Sequence, residues 1–128
     1  MNIFGLGSDL VNIKRLQSIL RNNRNFKKRV FSKKEINLGS KKSNQSNYYA
    51  KRFAAKEAFS KALGTGISKG INFNQIVVLN EKNGKPFIKL IENTKKNVEK
   101  KLRKKNYKIS LSLTDEDDFA VAFVTITI

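Results

Sequence analysis

The stretch from Tyr48 to Leu63, stopped by Gly64-Thr65-Gly66, restricts the fold of this chain more than any other segment. Ala55, Ala58, Phe59 and Ala62 recur at the spacing that puts side chains on one face of a helix. A face made mostly of alanine lets a neighbouring element come close. Gly64 ends the helix in the left-handed position that glycine fills without strain. Glu57 and Lys61 fall on the other face, one turn apart. Glu57 is one of three acids in residues 1–64, with Asp9 and Glu35. A carboxylate in so basic a field is a candidate for holding a divalent cation. The plainer reading is an exposed Glu57–Lys61 ion pair, worth about 0.3–0.5 kcal/mol.

With 128 residues the chain is long enough for one domain, 1–128, around a single core. It contains no cysteine and no histidine, which excludes disulfides, thiolate nucleophiles, Cys/His zinc sites and imidazole catalysis. A metal would need oxygen ligands, which favours magnesium, calcium or manganese. No apolar run reaches the length of a spanning helix. Residues Met1–Gly5 lack the basic start of a secretory signal, so a cytoplasmic location is expected. The formal charge of +17 attracts polyanions without choosing among them. Lysine beside abundant asparagine and isoleucine is also what a low-GC genome produces. Lys100-Lys101 and Lys104-Lys105 read as solvated faces.

Along the chain, residues 2–7 read as a strand ending at Gly7-Ser8-Asp9. Leu10, Ile13, Leu16, Ile19 and Leu20 then form a helical stripe over 10–21, which would make Asp9, helped by Ser8, a helix cap. Ser32-Lys33-Lys34-Glu35 is a capping-box pattern opening a short helix. Residues 40–46 form a polar loop without an apolar anchor. Gln75–Asn80 and Phe87–Ile91 are strands joined by a turn at Asn83-Gly84. Residues 93–105 suit a weakly amphipathic helix. Lys108–Leu113, an acidic turn at Asp115–Asp118, and Phe119–Ile128 complete a β-rich second half. The expected fold is α+β: a mostly antiparallel sheet with the long central helix packed against it.

Asp9 and Glu57 stand out as a carboxylate pair able to clamp one magnesium ion while phosphate oxygens and water complete its shell. At this point the residues resemble a known family. Gly5-Leu6-Gly7-Ser8-Asp9 with Arg15 is similar to the N-terminal signature of bacterial holo-[acyl-carrier-protein] synthases. Phe53-Ala54-Ala55-Lys56-Glu57-Ala58-Phe59-Ser60-Lys61-Ala62-Leu63-Gly64-Thr65-Gly66 resembles their central block almost residue for residue. Asn83-Gly84-Lys85-Pro86 and the closing Ser112–Asp115 and Phe119–Ala122 match two further blocks in the same order.

The resemblance implies a 4′-phosphopantetheinyl transferase of the short homotrimeric type, with active sites between subunits. Such enzymes use magnesium to move the phosphopantetheine arm of coenzyme A to a serine of acyl carrier protein, in fatty acid biosynthesis, and release adenosine 3′,5′-bisphosphate. Carried over by position, Asp9 and Glu57 are the magnesium ligands, and Lys61 faces the reacting phosphate. Arg52, Lys56 and Gly64-Thr65-Gly66 lie along the coenzyme A groove, and Asn83-Gly84-Lys85-Pro86 borders its nucleotide end. Arg15 and Arg21 meet the acidic carrier protein. Neither nucleic acid nor membrane is an implied partner. Many members carry histidine where this chain has Asp115, and others carry Thr-Asp as here. Asp115 then either shares a proton or only shapes the turn, and Glu57 is one route for the serine proton. The rival readings are a small nucleic-acid-binding protein, which explains the charge but not the Asp9/Glu57 placement, and a structural oligomer subunit.

Overall fold

Strand β1 (Ile3–Asn12) leads directly into helix α1 (Ile13–Asn22). Two short helices follow, α2 (Phe26–Val30) and α3 (Lys33–Gly39), then the long helix α4 (Gln45–Leu63). A 3-10 turn at Phe73–Gln75 precedes the hairpin β2 (Ile76–Asn80) and β3 (Pro86–Leu90). Helix α5 (Glu92–Leu102) connects it to a second hairpin, β4 (Lys108–Glu116) and β5 (Phe119–Thr127). The computed structural model describes residues 1–66 and 70–128.

The α+β architecture is as the sequence implies, with the strands divided between two antiparallel sheets. One has the order β1-β5-β4 and the other is the β2-β3 hairpin. Alternate residues of β5, Ala120, Ala122, Val124 and Ile126, are fully buried on the face that meets α4. Ala54, Ala55, Ala58 and Phe59 answer from the helix, also without exposure. The alanine face does admit a very close neighbour, and that neighbour is β1. A Cβ built on Gly5 would stand 1.7 Å from the Ala62 carbonyl oxygen, and one on Gly7 would stand 1.9 Å from that of Ala58. No side chain fits there, so the two glycines are what allow strand and helix to touch backbone to backbone.

Four local expectations change. First, β1 continues to Asn12, and it is Asn12, not Asp9 or Ser8, that caps α1 by accepting from the Arg15 amide (3.0 Å). The stripe beginning at Leu10 misleads, because Leu10 is an outward strand residue and only Ile13 and Leu16 are buried helix positions. Second, α4 starts at Gln45, inside the polar stretch, where the Asn44 side chain accepts from the Asn47 amide (3.2 Å). Third, Gln75 belongs to the 3-10 turn, and β2 begins at Ile76. Fourth, the acidic turn is confined to Asp117-Asp118, while Asp115 and Glu116 are strand residues paired with Ala120 and Phe119. The capping box is complete: Ser32 Oγ accepts from the Glu35 amide (3.1 Å) and Glu35 Oε1 from the Ser32 amide (2.9 Å).

Candidate active site

Helix α4 supplies functional groups to two places. At its C-terminal half, Gly5 and Gly7 hold β1 against the helix backbone and carry Asp9, on the same strand face, to the turn of Glu57. Lys61 Nζ donates to Asp9 Oδ1 (3.1 Å) and to the Ser8 carbonyl (3.0 Å). The ion pair expected within the helix, Glu57 with Lys61, is therefore replaced by a cross-element pair of Lys61 with Asp9. The Asp9 side chain is 17% exposed and that of Lys61 53%. Among the described residues, the Glu57 carboxylate has no hydrogen-bond donor. Burial and then the nearby Asp9 charge push its pKa above the ordinary value, against the pull of Lys61. Two carboxylates of one site thus repel each other, and one lysine compensates them incompletely.

That arrangement fits a divalent cation. No cluster of three acidic, histidine or cysteine side chains occurs among the described residues, so a cation here would have two protein carboxylates and take its remaining ligands from substrate and water. Beside it, Gly64 (φ 85°) turns the chain, and the Ser60 carbonyl accepts from the amides of Gly64, Thr65 and Gly66 at 3.1–3.3 Å. The Thr65 hydroxyl donates to the Gly66 carbonyl (2.9 Å).

At the other half of α4 lies an open cavity of about 630 Å³, lined by Lys42, Lys51, Arg52, Asn80, Gly84 and Pro86 among others. Arg52 stacks on the Tyr48 ring at 3.8 Å and donates from Nη2 to Asn80 Oδ1 (2.7 Å). Its Nε is buried without a partner among the described residues. The Asn80 amide in turn donates to the Gly84 carbonyl (2.9 Å), which ties the hairpin tip to the cavity wall. Asn83 accepts from the Lys85 amide (3.0 Å), and both residues stay exposed at the turn. Arg52 and Lys61 lie nine residues apart, about 14 Å along the axis, so the helix spans the distance between the carboxylate pair and the cavity.

Two sequence-based assignments do not match this geometry. Lys56 is wholly buried, and its ammonium is taken up by Glu35 and by the carbonyls of Phe73 and Ile76. It faces the interior rather than a groove, because it sits one residue, about 100°, away from Glu57 around the helix. Asp115 reaches the cavity, but there it accepts from Asn47 (2.6 Å) and pairs with Lys51 (3.6 Å). Arg15 and Arg21 are exposed residues of α1. Lys42 and Lys51 line the cavity and were not singled out from the sequence; their only signal there was a general excess of lysine.

These features define a class. The chain belongs to the 4′-phosphopantetheinyl transferase superfamily, whose model matches residues 5–124. A holo-[acyl-carrier-protein] synthase of Pelagibacter ubique is 46% identical over 124 residues, 97% of this chain and 96% of that protein. The crystal structure of holo-[acyl-carrier-protein] synthase from Neisseria meningitidis has a TM-score of 0.89 at 34% identity, covering 99% of this chain and 100% of that one. A Bacillus anthracis synthase solved in complex with CoA (3′,5′-ADP) has a TM-score of 0.79 at 33% identity, covering 98% and 96%.

Proposed function

We propose that residues 1–128 form one transferase domain that moves 4′-phosphopantetheine from coenzyme A to a serine of apo acyl carrier protein. The reaction depends on magnesium, releases adenosine 3′,5′-bisphosphate and serves fatty acid biosynthesis in the cytoplasm. The observation that carries this reading is the convergence of Asp9, Glu57 and Lys61 at one end of α4, with a cavity lined by Lys42, Lys51 and Arg52 at the other.

Asp9 and Glu57 are the residues that would hold magnesium, and the ion would supply positive charge to the pyrophosphate as the bond to the leaving phosphate breaks. Lys61, held by Asp9 and the Ser8 carbonyl, has a half-exposed side chain whose third N–H can point toward a phosphate oxygen. Arg52, with its unpartnered buried Nε, anchors the nucleotide end together with the Asn83-Gly84-Lys85-Pro86 turn. Gly64-Thr65-Gly66, at the C-terminal stop of α4, borders the Asp9–Glu57 end of the coenzyme A groove. We assign the serine proton to Glu57 rather than Asp115, since Asp115 is already engaged by Asn47 and Lys51.

Arg15 and Arg21 offer cations to an acidic carrier protein, which a chain of charge +17 would also attract at long range. The outward face of the three-stranded sheet supports a homotrimer. Leu6, Leu10, Phe119 and Phe123 are 66%, 60%, 44% and 52% exposed on adjacent strands β1 and β5. Light scattering at the mass of three chains is the expected result.

The test of function is to incubate the protein with apo carrier protein, coenzyme A and magnesium, and weigh the carrier. A gain of one phosphopantetheine arm is expected, with a Michaelis constant for the carrier that rises with salt. Folded protein that gives no gain but binds RNA in a salt-sensitive way would replace this reading with that of a polyanion-binding protein.

A further inference from the structure

Lys56 immediately precedes Glu57, yet takes no part in the reaction described above. Its ammonium, 0% exposed, uses all three of its donors: to Glu35 Oε1 (2.9 Å), the Phe73 carbonyl (2.7 Å) and the Ile76 carbonyl (2.5 Å). Burial lowers its pKa to about 8, while the Glu35 charge pulls the other way. Glu35, equally buried, receives the Ser32 amide on Oε1 and the Val78 amide on Oε2 (3.0 Å).

Strand β2 pairs with β3 on one edge only. The Ile76 carbonyl and the Val78 amide lie on its other edge, and the ion pair satisfies both. Two charged side chains from α3 and α4 thus stand where a neighbouring strand would be. Two residues on, Asn80 is held by Arg52, one helical turn before Lys56. The hairpin that carries Gly84 and Pro86 into the cavity is therefore pinned to α4, the helix that carries Glu57 and Lys61.

We propose that Lys56 and Glu35 are positioning residues for the donor substrate, which keep the nucleotide cavity in register with the Asp9–Glu57 end so that one coenzyme A molecule engages both. This rests on reading the site as a coenzyme A site. Apolar groups commonly replace both members of a buried ion pair without loss of stability, so the pair is not needed merely to fill the core. Here such a replacement would release the Phe73 and Ile76 carbonyls, and with them the hairpin.

Steady-state kinetics with coenzyme A and with 3′-dephospho-coenzyme A test the proposal in the parent protein, Lys56→Met and Glu35→Gln. In Lys56→Met the Michaelis constant for coenzyme A rises about tenfold or more, as expected when a substrate group is displaced by a fraction of an ångström to an ångström. The constant for carrier protein is unchanged, and the parent's preference for the 3′-phosphorylated donor falls toward one. Glu35→Gln, which keeps the volume and an acceptor oxygen, shows the same pattern in smaller degree and carries the test if Lys56→Met does not fold. Parent-like donor constants and preference, with all loss in kcat or in the folded fraction, would overturn the proposal. So would a parent indifferent to the 3′-phosphate. A parent that transfers nothing refutes the functional reading itself.

Discussion

The Glu35–Lys56 pair and the Asp9–Glu57–Lys61 group use the same kinds of charge, and both draw on helix α4, yet their hydrogen-bond balance is opposite. In the first, every donor of the ammonium and both carboxylate oxygens have partners, and both charged side chains are fully buried. In the second, two carboxylates share one lysine, and Glu57 is left with a raised pKa. A satisfied network rigidifies, whereas an incompletely compensated one is available to bind. Lys56 and Glu57 are adjacent in sequence, and one step around the helix separates a residue that holds the fold from one that is free for chemistry.

Substitutions in the two groups should have opposite effects on stability. Lys56→Met leaves the Glu35 carboxylate buried and unpaired and is expected to lower unfolding free energy in urea by about 3–5 kcal/mol. Glu57→Gln removes a repelled charge, so its melting temperature should equal or exceed that of the metal-free parent. If Glu57→Gln were the more destabilised, the division between the two groups would be wrong. Next in size is Gly7→Ala, whose added methyl would sit on the Ala58 carbonyl and force β1 away from α4. A loss of about 3 kcal/mol is expected, at the upper end for overpacking. Because Asp9 follows on the same strand, magnesium-dependent stabilisation should weaken in that variant as well.

How far these places could be read in advance depends on whether their causes are local. The long helix, its stop at Gly64, the Ser32/Glu35 box and the Asn83-Gly84 turn follow from neighbours a few residues apart, and the sequence shows them. Leu10, Ile13 and Leu16 suit a 3.6-residue period, which makes Asp9 read as the cap of a helix from residue 10 when it is a mid-strand residue of β1. What settles the matter is that Gly5 and Gly7 lie against Ala62 and Ala58, more than fifty residues away. The family resemblance carries Lys56 into a groove by position, and the Phe73 and Ile76 carbonyls that receive it come from a segment too distant to be read locally. Glu35 was visible as a cap, but not as the partner of Lys56 and Val78. Asp115 looked like part of a turn until Asn47 met it across the fold. In each case the local role could be read and the tertiary one could not.

A smaller effect sharpens the view of Glu57. With its pKa raised, the folded protein holds this proton to higher pH than the unfolded chain does. The group's contribution is therefore full below about pH 4.5 and is lost as pH rises through the raised value. Magnesium should reverse that loss, so the rise in melting temperature on adding it should grow with pH above 4.5 in the parent and be absent in Glu57→Gln. The least effect is expected at Lys14→Ala. The Lys14–Asp118 pair spans 3.8 Å with side chains 81% and 57% exposed, and its loss should shift stability by less than about 0.5 kcal/mol.

The most direct measurement is the mass of apo carrier protein after incubation with coenzyme A, magnesium and either the parent or Glu57→Gln, at equal folded concentration. The parent is predicted to add one phosphopantetheine arm to the carrier, and the variant, folded as well or better, to add none. Full transfer by Glu57→Gln would contradict the assignment of Glu57 to the metal and the reacting phosphate.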